Sequence, residues 1–125
     1  MEKELRHKVI IALGSNIEQE SNINQAIRLL KQKLNDVVCT DVVWTEPIGV
    51  DSDMFLNCLL KGYTTLEMQV LAEAVKETEY LCGRTEKESI DGIIRIDIDV
   101  LQYDNLRFHS NDWQRNYIKE LIKDL

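Results

Sequence analysis

The stretch Arg95-Ile96-Asp97-Ile98-Asp99-Val100-Leu101 has the pattern of a β-strand that is buried on one side only. Because side chains alternate between the faces of a strand, the isoleucines share one face and Arg95, Asp97 and Asp99 share the other. The two carboxylates then lie roughly 7 Å apart at Cα. Two like charges at this spacing favour a hard dication such as Mg²⁺, with phosphates completing its coordination. The alternative is an edge strand whose polar face meets water.

Strand and helix patterns alternate along the rest of the chain. Short apolar or β-branched runs predict strands at residues 8–13, 37–45, 54–63 and 95–101. Apolar residues at helical spacing predict one helix capped by Asn22, and a second between a Thr64–Glu67 capping box and Gly83. The segment 111–125 has a weaker helical pattern, and Trp44 is expected to lie in the core.

The predicted order β-α-β-β-α-β is that of ferredoxin-like α+β folds. It implies a four-stranded antiparallel sheet with both helices on one face, followed by a short C-terminal helical tail. The open face of the sheet could take a ligand.

Length, composition and charge limit the classes of protein to consider. The 125 residues are 44% hydrophobic and carry a net charge of −7, which predicts a single domain over residues 1–125 and argues against binding to nucleic acid. No apolar stretch is long enough to span a membrane, and no apolar signal core follows the charged N-terminus. Cys39, Cys58 and Cys82 match no zinc or redox spacing. We therefore expect a cytoplasmic protein with reduced cysteines and no membrane partner.

Six short motifs together resemble one enzyme family. They are Ala12-Leu-Gly-Ser-Asn16, Thr45-Glu-Pro-Ile-Gly49, Phe55-Leu-Asn57, Glu79-x-x-x-Gly83-Arg84, Asp97-Ile-Asp99 and His109-x5-Arg115-x-Tyr117. In this order they resemble the 6-hydroxymethyl-7,8-dihydropterin pyrophosphokinases of the folate pathway, which transfer pyrophosphate from ATP to a pterin and release AMP. The resemblance covers roughly residues 8–117 and implies the same ferredoxin-like core.

The resemblance also implies roles for individual residues. Asp97 and Asp99 match the aspartates that hold two Mg²⁺ ions on the ATP phosphates, and Arg84 and Arg95 are expected to take part in catalysis beside them. The residues that match the pterin site are Thr45, Ile48, Phe55, Asn57 and Tyr117, with Phe55 and Tyr117 stacking on the ring. The residues that match the ATP site are Glu79, Arg84, Val100, His109 and Arg115. Without the resemblance, Phe55 would be equally well explained as a core residue.

Several departures from the family pattern leave alternatives open. Ile94 occupies the place of a family arginine, and Arg95 lies one residue later, where it could neutralise Asp97 and Asp99 or replace the missing group. The segment 85–91 is acidic where the family carries cationic residues. A non-catalytic pterin- or nucleotide-binding paralogue, acting as a sensor or a partner of a folate enzyme, is therefore the alternative function. A ferredoxin-like regulatory module that dimerises around another metabolite is a third.

Self-association is a further expectation from the sequence. The family usually continues beyond the point at which this chain stops, so Ile118, Leu121 and Ile122 are expected to expose apolar surface. A homodimer could cover that surface.

Overall fold

Six strands form one antiparallel sheet in the computed structural model, which describes residues 5–48 and 52–125. The strands are β1 (His7–Ser15), β2 (Asn35–Cys39), β3 (Val43–Thr45), β4 (Phe55–Thr64), β5 (Asp97–Tyr103) and β6 (Leu106–Arg107). The helices are α1 (Gln19–Lys31), α2 (Met68–Leu81), α3 (Glu86–Ile90) and α4 (Asn116–Leu121), with 3₁₀ turns at Asp112–Gln114 and Ile122–Asp124. None of these helices is both long and apolar enough to cross a membrane.

The strand order is β2-β4-β1-β5-β6, and β3 also pairs with β4. The α+β class and the antiparallel sheet are as expected, whereas the prediction of four strands is wrong. The strand predicted at residues 37–45 is broken because the hydroxyl of Thr40 accepts the hydrogen bond of the Leu59 amide at 2.9 Å. A tight turn with Asp104 at φ 52° then adds β6 as a hairpin after β5.

The predicted cap at Asn22 and the predicted capping box at Thr64–Glu67 are both wrong, although the helices exist. Helix α1 begins at Gln19, and Asn22 lies inside it, where its amide nitrogen donates to the Ile17 carbonyl at 2.8 Å. Helix α2 begins at Met68, and the Thr64 hydroxyl accepts from the Leu66 amide at 3.0 Å. The predicted end of α2 is confirmed, since Gly83 follows it with φ 92°.

The sheet is covered on both faces. Helices α1 and α2 pack over one face, and the C-terminal segment packs on the other. There Ile118 is fully buried and Leu121 is 5% exposed, so the expectation that they form an open apolar surface is wrong. Trp44 is 53% exposed and is not the core residue expected from its strand position. The C-terminal segment thus removes the apolar surface on which the prediction of a homodimer rested.

Strand β1 brings polar groups of its two neighbouring strands to one end of the sheet. Gly14 pairs with Asn57 of β4 on one side and with Asp97 of β5 on the other, and Ala12 pairs with Asp99. The motifs that are far apart in sequence therefore meet at the end of β1.

Candidate active site

Two pockets meet at the pair of aspartates on β5. The β4-side pocket has a volume of about 200 Å³ and is lined by Ala12, Leu13, Gly14, Thr45, Glu46, Ile48, Phe55, Asn57, Asp97, Asp99, Asp112, Arg115, Tyr117 and Ile118. The α2-side pocket has a volume of about 390 Å³ and is lined by Met68, Ala72, Val75, Lys76, Glu79, Arg84, Asp97, Ile98, Asp99, Val100, Phe108 and His109. Because Asp97 and Asp99 line both pockets, ligands in the two pockets would face each other across these carboxylates.

The negative charges of Asp97 and Asp99 repel each other. Burial, and then the negative charge and hydrogen bond of Asp97, raise the pKa of Asp99 to about 7. Among residues 5–48 and 52–125, no three or more His, Cys, Asp or Glu side chains are grouped to hold a metal ion by themselves. Two carboxylates with substrate phosphates as the remaining ligands are, however, a usual donor set for Mg²⁺. The residues present therefore fit a dication that binds together with a phosphate-bearing substrate.

Arg84 is the cation that meets this pair. Its Nη1 donates to Asp97 Oδ1 at 3.0 Å, to Glu79 Oε2 at 3.0 Å and to the Ile96 carbonyl at 3.2 Å. Glu79 Oε2 also accepts from the Ile98 amide at 2.7 Å, and burial raises the pKa of this carboxyl. Glu79 and Arg84, the two residues predicted from this motif, are thus held by hydrogen bonds at the start of β5.

The residues predicted for ATP divide between the two pockets. Glu79, Arg84, Val100 and His109 line the α2-side pocket, and His109 Nε2 lies 3.8 Å from Asp99 Oδ1. Arg115 lines the β4-side pocket, where its guanidinium lies 4.6 Å from the centre of the Tyr117 ring. The structure therefore groups Arg115 with the residues predicted for the pterin.

All the residues predicted for the pterin line the β4-side pocket. The orientation of Asn57 is fixed, because its Nδ2 donates to Thr45 Oγ1 at 2.8 Å. Its Oδ1 lies against Gly14, where an added Cβ would come within 3.0 Å of that oxygen. Gly14 thus leaves the room in which the Asn57 amide lies, beside the aromatic ring of Phe55.

Arg95 lines neither of the two pockets. Its Nε and Nη2 donate to the two carboxylate oxygens of Glu88 at 2.9 and 3.0 Å, and its Nη1 donates to Glu18 at 3.3 Å. Strand β5 begins only at Asp97, so the strand alternation does not extend back to Arg95. The expectation that Arg95 neutralises Asp97 and Asp99 is wrong, since Arg84 occupies that place. A catalytic role for Arg95 stays a prediction.

Three charged residues of the pockets were missed from the sequence. Lys76 precedes Glu79 by three residues on α2, a helical spacing that would have placed both on one face. Glu46 lies inside the Thr45–Gly49 motif but had no role assigned to it. Asp112 reaches the β4-side pocket through the packing of the C-terminal segment, for which no local pattern gave a signal.

Comparison with known proteins shows the family to which the chain is similar. The family model for 7,8-dihydro-6-hydroxymethylpterin-pyrophosphokinase (HPPK) matches residues 10–125. The chain is 31% identical over 129 aligned residues to the "Folate synthesis bifunctional protein" of Arabidopsis thaliana. It is 33% identical over 131 aligned residues to the "Folate synthesis bifunctional protein, mitochondrial" of the same organism. These alignments cover 94% and 95% of this chain but only 27% and 23% of the relatives, so the chain spans about a quarter of their length. Because the family model covers almost the whole chain, the protein belongs to the 7,8-dihydro-6-hydroxymethylpterin-pyrophosphokinase family.

Proposed function

We propose that the protein transfers the pyrophosphoryl group of ATP to the hydroxymethyl oxygen of 6-hydroxymethyl-7,8-dihydropterin and releases AMP. The observation that carries this proposal is the junction of the two pockets at Asp97 and Asp99. A transfer between two bound substrates needs their reacting ends to meet at one place, and positioning of this kind supplies much of the catalysis in phosphoryl transfer.

The pterin is assigned to the β4-side pocket. Phe55 and Tyr117 offer aromatic faces to a flat heterocycle, and the Asn57 amide oxygen offers an acceptor to its polar edge. Thr45 holds that amide in one orientation, and Ile48 supplies apolar contact. These are the features by which a small, polar, planar ring can be selected.

ATP is assigned to the α2-side pocket. Val75, Val100 and Phe108 give it an apolar lining that suits the base, while Arg84 and Lys76 bring positive charge that suits the phosphates. His109 lies at the carboxylate end of this pocket, where the triphosphate would approach the pterin. Arg115 would meet the phosphates from the side of the β4-side pocket.

Asp97 and Asp99 would hold Mg²⁺, two ions in the proposal, which when bound would neutralise the triphosphate and hold it in line. The hydroxymethyl oxygen then forms a bond to the β-phosphorus while the bond from that phosphorus to the oxygen of the α-phosphate breaks. Asn57, Phe55 and Tyr117 orient the pterin for this step. The guanidinium of Arg84 neutralises part of the negative charge of the phosphates. No covalent protein intermediate is required.

Calorimetric titration and product analysis test the proposal together. We expect 6-hydroxymethylpterin to bind in the presence of Mg²⁺ and a non-hydrolysable ATP analogue, and AMP to form when ATP and the dihydropterin are supplied. Omission of the dihydropterin is the control, because simple ATP hydrolysis would continue without it. Absence of both binding and AMP formation would contradict the proposal.

A non-catalytic binding protein is the second candidate, and the pairing of Arg95 favours it. Arg95 is engaged by Glu88 and Glu18 and lines neither pocket, so it is not placed to contact a triphosphate bound there. This candidate predicts pterin binding without AMP formation. A homodimer and a cytoplasmic location stay predictions, and one of the relatives is named as mitochondrial.

A further inference from the structure

Asp112 is a third aspartate of the β4-side pocket, beside the two aspartates of β5. It lies half-buried at the start of a 3₁₀ turn and lines the β4-side pocket together with Asp97 and Asp99. Its negative charge contributes to raising the pKa of Asp99 and that of Tyr117, two other residues that line this pocket. Asp112 therefore shares with Asp97 and Asp99 the pocket in which transfer would occur.

The backbone of Asp112 is held firmly. Its amide donates to the His109 carbonyl at 2.8 Å, and its carbonyl accepts from the Arg115 amide at 3.0 Å. The next residue, Trp113, is buried, and its indole nitrogen donates to the carbonyls of Phe108 and Leu101 at 3.0 and 3.2 Å. Leu101 belongs to β5, so the turn that carries Asp112 is fastened to the strand that carries Asp97 and Asp99.

The carboxylate of Asp112 is uncommitted. Among the hydrogen bonds and ion pairs between described residues, none uses its side-chain oxygens. Asp97, in contrast, is paired with Arg84, and both β5 aspartates would be metal ligands in the loaded protein. A carboxylate that coordinates a metal is a poor proton acceptor, whereas one without a partner keeps its lone pairs for this purpose.

We propose that Asp112 is the proton acceptor of the transfer, an inference that rests on the function proposed above. As the hydroxymethyl oxygen bonds to the β-phosphorus, its proton passes to the Asp112 carboxylate, directly or through one water. The bond between the β-phosphorus and the bridging oxygen breaks at the same time, and AMP leaves with that electron pair. Asp112 afterwards returns the proton to solvent. Glu46 is the other missed carboxylate of this pocket, but it is exposed and lies beside Thr45.

The test is a comparison of Asp112→Asn with Asp124→Asn, an exposed aspartate of the terminal 3₁₀ turn. AMP formation is followed in a single turnover at saturating MgATP and dihydropterin, so that product release does not mask chemistry. We expect Asp112→Asn to slow this step about 100-fold, the usual contribution of a positioned acid or base. The pterin KM and the calorimetric affinity for 6-hydroxymethylpterin should change less than twofold, and Asp124→Asn should match the unaltered protein.

Two results would overturn the inference while leaving the proposed function intact. One is a single-turnover rate for Asp112→Asn equal to that of the unaltered protein. The other is a loss of pterin affinity as large as the loss of rate, which would make Asp112 a binding residue. Asp112→Glu keeps a carboxylate and should retain more of the rate than Asp112→Asn; the opposite order would contradict the assignment even if the asparagine variant folds poorly. If the unaltered protein forms no AMP, both the function and this inference fail.

Discussion

The two pockets differ in how their polar groups are arranged before any substrate binds. In the β4-side pocket the Asn57 amide is oriented by Thr45, and Gly14 leaves its oxygen clear of a side chain. In the α2-side pocket the arginine is already paired, because one nitrogen of Arg84 contacts both Asp97 and Glu79. Under the proposed function, the group that would recognise the ring is oriented in advance, whereas binding of metal and triphosphate would require an ion pair to be exchanged. A preformed site loses less free energy in ordering its groups than one that must first break its own contacts.

Removing a carboxylate of the pair should have the largest effect and should separate the two pockets. For Asp97→Asn we expect AMP formation to fall by about 10³-fold or more, since charge neutralisation around the triphosphate is lost. The affinity for 6-hydroxymethylpterin should change little, because the residues assigned to its recognition lie outside β5, on β3, on β4, in the segment after β3 and on α4. Rate measurements and calorimetry on the same preparation check this. Equal losses in rate and pterin affinity would show that the pockets do not act separately.

Arg84→Ala should act in opposite directions on metal binding and on catalysis. Because Arg84 competes for Asp97, its removal should raise the affinity for Mg²⁺ several-fold in the absence of nucleotide. Turnover should fall, by up to about 10³-fold if Arg84 contacts the phosphates in the transition state. Metal titration by calorimetry gives the first quantity independently of activity.

Lys76→Ala is the matched control for this experiment. It removes the same charge from the same pocket, but the ion pairs of Asp97 do not involve Lys76. We expect a smaller change in Mg²⁺ affinity than for Arg84→Ala. Equal changes would indicate a general effect of charge in place of direct competition.

Gly14→Ala tests whether the β4-side pocket depends on close packing around Asn57. The new Cβ would lie 3.0 Å from Asn57 Oδ1, so the amide must shift and the pterin affinity should fall about tenfold. Nucleotide affinity should stay unchanged. Gly62→Ala, whose Cβ would meet Leu34 at 3.2 Å, should affect stability and leave pterin affinity intact. The reverse result for the two glycines would contradict the assigned pocket.

Arg95→Ala should have the smallest effect on turnover, less than about tenfold, because Arg95 holds Glu88 and Glu18 and lines neither pocket. Hydrogen exchange in α3 should nevertheless increase, since this helix loses its link to the start of α1. A loss of turnover close to that of Arg84→Ala would show that Arg95 leaves Glu88 in the loaded protein and acts on the phosphates.

Sequence patterns predicted the parts of the molecule that depend on local alternation. The spacing of Asp97 and Asp99 placed both on one face of β5, and the glycine signal placed the end of α2 at Gly83. Alternation could not predict where a strand begins, and for that reason Arg95 was assigned to the wrong partners. The break at Thr40 depends on one side chain replacing a backbone group, which a pattern of residue types does not reveal.

Contacts that depend on tertiary packing could not be predicted from the sequence either. Asp112 enters the pocket because Trp113 binds the carbonyl of Leu101 on β5, a contact between segments without a shared periodicity. The burial of Ile118 has the same origin, since the C-terminal segment packs onto Ile10, Leu59 and Leu101 of the sheet. Where a tail packs is set by the shape of the whole sheet, and its own composition gave only a weak helical pattern.

Phosphorus NMR of the complete reaction tests the central claim most directly. With the protein, Mg²⁺, ATP and 6-hydroxymethyl-7,8-dihydropterin, we predict loss of the ATP resonances and growth of AMP together with a new diphosphate ester in equal amounts. Asp97→Asn should leave the ATP spectrum unchanged over the same period. Formation of ADP and phosphate, or persistence of ATP with the unaltered protein while the pterin binds, would contradict pyrophosphoryl transfer at the junction of the two pockets.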